Sequence, residues 1–253
     1  MASTHSVDHT IGSRASIRLG AVALALSGLL FLLYPAVRPW HDESTVAGAV
    51  ASMSSNAWVA AHLFAMFALI LMPLGLLALV GLWAGSRGAG LTLAATVIIW
   101  VGAGLALPYY GAEDFALHAI AGQVKSGIPL DLLGLVNSVR FGAVAISTFA
   151  AGLLLLAAGG VLVAVSIWRT AILPRLSGVP LAIALVLFIP QFYLPAWARI
   201  AHGTLVALAL ILLAGILWAA TQPRAANRAY AGSTASSASA ESRPMPMSVC
   251  EVR

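Results

Sequence analysis

The chain has 253 residues, of which 61% are hydrophobic and 8% charged, and its mean hydropathy is +0.98. A soluble domain carries about 25% charged residues, so this composition excludes a water-soluble globular protein and points to a polytopic membrane protein. The formal charge of +5 fits basic anchoring beside anionic lipid rather than nucleic-acid binding, and a lone cysteine, Cys250, excludes an intramolecular disulfide or a multi-thiolate metal centre.

Charges between Arg18 and Arg224 fall almost only at the edges of long apolar runs: 19–37, 44–86, 88–112, 141–168, 176–198 and 200–223. Each run can hold the roughly 20 apolar residues that a helix needs to cross about 30 Å of hydrocarbon. The expectation is therefore an all-α membrane bundle of six transmembrane helices, near 17–37, 57–83, 91–109, 141–168, 177–194 and 197–221, with both termini cytoplasmic.

In chain order, residues 1–16 are polar and expected to be disordered. The stretch 21–37 follows Arg14 and Arg18 as a signal peptide would. It runs too long, however, and ends in Tyr34-Pro35-Ala36-Val37-Arg38-Pro39 instead of a small-x-small cleavage site, so it reads as an uncleaved first span. His41, beside Trp40 and Asp42-Glu43, is expected in solvent. Pro73 and Pro180 lie inside spans, where neighbouring helices can satisfy the freed carbonyls. Pro190 and Pro195 bracket Gln191-Phe192-Tyr193, so the fifth span should bend or end there. Residues 222–253 are Ala/Ser/Pro-rich, a composition that supports no core.

Orientation follows from the basic residues. With the N-terminus inside, Arg14, Arg18, Arg87, Arg169, Arg175, Arg224, Arg228, Arg243 and Arg253 are cytoplasmic, against Arg38, Lys125, Arg140 and Arg199 outside. This bias toward the inner connections sets the predicted topology in the cytoplasmic membrane.

The second and sixth spans open alike, Ala57-Trp58-Val59-Ala60-Ala61-His62 and Ala196-Trp197-Ala198-Arg199-Ile200-Ala201-His202. Tryptophan favours the headgroup level, which places His62 about 6 Å and His202 about 7.5 Å below an outer interface at 1.5 Å per residue. The longest connection, 110–140, carries Glu113, Asp114, His118, Lys125, Asp131 and Arg140. Its segment 113–124 reads as a short amphipathic helix with Glu113 at the head of the apolar stripe. Asp114 and His118 share a face, and Asp114, Lys125 and Asp131 are expected in solvent.

His62, His202, Glu113 and His118 thus form a candidate outer-face set for metal binding or acid–base chemistry. Zinc suits a His/carboxylate set, and haem iron suits two facing histidines. No HExxH or Cys-x-x-Cys-His motif and no i, i+4 histidine pair within one expected helix supports either. Three function classes stay open: a membrane enzyme or redox protein, a structural or partner-binding protein, and a small-molecule transporter. The nearly apolar span centres count against the last. The partners expected are the lipid bilayer and, beyond it, a homo-oligomer or another membrane protein.

Overall fold

Leu, Ala, Val and Ile dominate the apolar runs, and their backbone groups are best satisfied within a helix where water is scarce. A computed structural model describes residues 14–84, 86 and 88–222, and every regular element among them is helical. The expectations for both tails, Arg87 and Cys250 lie outside the described residues. The elements are α1 (Arg14–Val37), α2 (Val46–Met53), α3 (Asn56–Leu82), α4 (Ala89–Gly111), α5 (Leu117–Lys125), α6 (Leu132–Phe141), α7 (Ala143–Thr170), α8 (Val179–Val186) and α9 (Ala196–Ala220). A π-helical turn, Ala112–Ala116, joins α4 to α5, and a 3-10 turn, Pro190–Tyr193, follows α8.

Among the described residues, five helices are long and apolar enough to cross a membrane: α1, α3, the continuous stretch Ala89–Lys125, α7 and α9. The sequence predicts six. The difference is the fifth expected span, 177–194, which folds as the eight-residue α8, a turn and the 3-10 turn. Pro190 and Pro195 have no N–H to give a helix, so the chain cannot run on as one element through 187–195. The connection expected at 110–140 also differs. At 1.5 Å per residue, Ala89–Lys125 is about 55 Å long, more than the hydrocarbon needs, and its last turns belong to a cap over the bundle.

Neighbouring helices close a ring in the order α1, α3, α4, α7, α8, α9 and back to α1. Small residues set the tightest seam. A Cβ on Gly102 of α4 would lie 2.8 Å from the Gly152 carbonyl oxygen of α7, and one on Gly152 would lie 2.8 Å from that of Gly102. Both positions are therefore held to glycine by backbone approach, as in other close membrane pairs. Across α1 and α3, Ser27 Oγ donates to the Ala68 carbonyl at 2.8 Å.

At one end of the ring, Arg18 of α1 stands 5.2 Å from the Trp218 ring of α9. At the other, α2, α5 and α6 pack on one another around Met53, Trp58, Leu117, Leu132 and Val136. This is the capped end. Thr45, Ser55 and Asp131 start α2, α3 and α6 there, each accepting a backbone N–H from its first turn.

Candidate binding pocket at the capped end

Glu113 sits in the π-helical turn and is buried. Such a turn fits one more residue than an α-turn and changes which side chains face inward. Its carboxylate is gripped by Arg140 at the end of α6: Nε donates to Oε1 at 2.6 Å and Nη2 to Oε2 at 2.8 Å. The same Nη2 lies 2.9 Å from Glu43 Oε2 in the first connection, and Glu43 Oε1 takes Arg38 Nη2 at 2.6 Å. Two arginines and two glutamates thus tie α1, the first connection, the π turn and α6 into one network. Burial opposes the Arg140 cation, but the hydrogen bonds and charge of Glu113, then of Glu43, outweigh it and raise its pKa further.

Trp58 is the platform beneath this network. Its indole N–H donates to the Glu113 carbonyl at 2.8 Å, and the Arg38 guanidinium lies 4.6 Å above its ring. Trp58 is fully buried in the protein, whereas Trp197, at the matching place in the opening of the sixth expected span, is exposed. The likeness of the two openings therefore does not extend to their surroundings.

Beside Trp58 opens a pocket of about 370 Å³. His62, Tyr34, Tyr110 and Phe149 form its aromatic wall, with Tyr109 stacked on Phe149 at 4.0 Å. Ile146, Leu153 and Ile189 extend the apolar lining. Three arginines (Arg38, Arg140, Arg199) and two glutamates (Glu43, Glu113) border it. Among the described residues no carboxylate pairs with Arg199. Its guanidinium is flanked by the Trp40 and Phe192 rings at 4.9 and 5.2 Å, and its Nε reaches Gln191 Oε1 at 3.3 Å. The Tyr110 hydroxyl, in a residue 2% exposed, has no hydrogen-bond partner of acceptable geometry.

Of the four candidate ligands, His62 and Glu113 reach this pocket. His62 Nδ1 lies 2.8 Å from the Trp58 carbonyl, and because a carbonyl only accepts, Nδ1 carries the proton. His202 turns to a smaller crevice with Phe31, Pro35 and Phe188, where Nε2 donates to the Ala184 carbonyl at 2.8 Å. His118 Nδ1 donates to the Met53 carbonyl at 2.8 Å within the cap. Each of these three histidines is thus met by one backbone carbonyl, and Glu113 has both oxygens in the Arg140 grip. Among the described residues no group of three or more His, Cys, Asp or Glu is placed to hold a metal ion.

Comparison of the chain with protein families, curated proteins and solved structures finds no match. The pocket must be read from its own chemistry.

Sequence reasoning missed Arg38, Glu43, Arg140, Arg199, Tyr34 and Tyr110. The first four enter it only as charges at span edges. One signal pointed to the network: Glu113 at the head of an apolar stripe needed a cation. Asp114 also differs from expectation. It is fully buried rather than solvated, and neither carboxylate oxygen has a hydrogen-bond partner. Lys125, Asp131 and His41 are exposed as expected.

Proposed function

We propose that this is a multi-pass protein of the cytoplasmic membrane whose outer end holds a binding pocket for a small amphipathic molecule. The observation that carries the reading is the pocket itself. It combines aromatic and apolar walls with a few convergent polar groups, in the volume range of ligand sites, roughly 300–1,000 Å³. Its carboxylates are saturated by arginines, and no group of three or more metal-ligating side chains forms among the described residues, which favours binding over acid–base or metal chemistry. Each of His62, His118 and His202 keeps one ring nitrogen free of its carbonyl bond, but among the described residues they and Glu113 are not gathered into one ligand set for zinc or haem.

Six crossings with both ends of the helical domain inside remain the topology we favour. The sixth crossing would be the broken segment of α8 and the 3-10 turn, between α7 and α9 in the ring. Burial supports the orientation too. Of the four cations on the expected outer side, Arg38 and Arg140 are ion-paired and Arg199 is held between aromatic rings, so little free positive charge faces outward. Reporter fusions after Gln222 and within 120–128 should report opposite compartments; the same compartment for both would defeat six crossings.

Binding is tested by what co-purifies. Organic extracts of the wild-type protein and of Ala150→Trp, which fills the pocket, are compared by mass spectrometry. A small amphiphile enriched in the first and lost from the second is expected. Equal extracts would overturn the reading.

A further inference from the structure

We infer that the occupant of this pocket is a single-chain amphiphile with an anionic oxygen headgroup, such as a long-chain carboxylate, held by Arg199 and Tyr110. This rests on the binding reading above and assigns its ligand class.

Charge decides the headgroup. Arg38 and Arg140 are matched by Glu43 and Glu113, so an incoming group meets those two pairs as nearly neutral units. Arg199 is the remaining cation on the wall. Its long contact to Gln191 engages Nε and leaves the terminal amino groups to a ligand, while Trp40 and Phe192 fix the plane of the guanidinium. A planar fork held in this way suits a carboxylate or phosphate oxygen pair. Tyr110 supplies the second, independent mark. Its buried O–H has the Tyr34 side chain as a polar neighbour but forms no well-aligned hydrogen bond, and an anionic oxygen in the pocket would supply one.

The walls decide the rest of the molecule. Ile146, Phe149, Leu153 and Ile189 offer a hydrocarbon surface, and about 370 Å³ suits one chain, not a two-chain phospholipid. Two lining residues also form the outer surface: Phe141 is 65% exposed and Tyr193 88% exposed. They stand at the end of α6 and the end of the 3-10 turn, and a lipid-borne chain would enter the pocket past these exposed rings.

The test uses the full chain in phosphatidylcholine nanodiscs and radiolabelled laurate. Expected is saturable binding of a single laurate per chain, competed by lauryl phosphate but poorly by dodecanol. Arg199→Gln should weaken binding at least about tenfold, Tyr110→Phe by several-fold, and Arg199→Lys less than Arg199→Gln, because charge-assisted bonds are the strong ones. Arg169→Gln, at the opposite end, should bind as wild type. If dodecanol binds as well as laurate and Arg199→Gln changes nothing while Ala150→Trp abolishes both, the headgroup assignment fails and the pocket reading stands. If inorganic phosphate displaces laurate as effectively as lauryl phosphate does, the site is a simple anion site and the amphiphile is overturned. If neither laurate nor dodecanol binds saturably, both readings fall. Arg199→Lys keeps the test decisive should Arg199→Gln fold poorly.

Discussion

Arg140 and Glu113, 27 residues apart in sequence, are joined by two hydrogen bonds of 2.6 and 2.8 Å, and the π turn is thereby bolted to the end of α6. Removing one partner of a buried pair typically costs about 3–5 kcal/mol because the other charge is left alone. Arg140 keeps some solvent contact, so Arg140→Gln is expected at the low end, about 3 kcal/mol. The double variant Glu113→Gln/Arg140→Gln should recover part of that loss. Thermal melts in detergent check both, and an Arg140→Gln protein that melts like wild type would show that the pair contributes nothing.

The α4–α7 seam makes a sharper claim. A Cβ on Gly152 would meet the Gly102 carbonyl oxygen at 2.8 Å and the Ala106 amide nitrogen at 3.1 Å, both backbone atoms that cannot swing aside. Gly152→Ala should therefore push the helices apart and cost about 1–3 kcal/mol. Gly104, on the same helix as Gly102, has nothing within 4 Å of an added Cβ. Gly104→Ala should be neutral or slightly stabilising. Equal melting of these two alanine variants would refute the close approach.

At the end of α7 the strain is built in. Ala171 closes the helix with φ 51°, a left-handed conformation that favours glycine. Ala171→Gly relieves it and gives back some unfolded-chain entropy, for a net gain of roughly 0.5–1 kcal/mol. A rise in melting temperature is the expected reading, and a fall would place the strain elsewhere.

The long helices were legible because uncharged runs of sufficient length have one economical solution in lipid. The break after α8 was partly legible too, since Pro190 and Pro195 mark where donors are missing. The site was not. Its arginines and glutamates stand at the ends of apolar runs, where a sequence reading can use them only to count charge. Their pairing depends on how the cap folds over the bundle. Trp58 reads in sequence only as an amphipathic ring, and nothing there tells that its N–H finds the Glu113 carbonyl 55 residues away. Asp114 misled for a physical reason. It stays close to His118, as the i, i+4 spacing expects, but the π turn at 112–116 changes the helical phase and its carboxylate is buried instead of solvated.

The ring of helices is closed by its first and last members. Gly28 packs on Ala207, Gly203 on Pro35, and Arg18 lies over Trp218. During synthesis α1 therefore waits with one flank unpartnered until α9 has been made, so the bundle cannot finish assembling while the chain is still being threaded into the membrane. The same closure brings the two ends of the helical domain to one side. Joined there by a linker, they would allow the chain to be reopened between α7 and α8 with every helix keeping its neighbours.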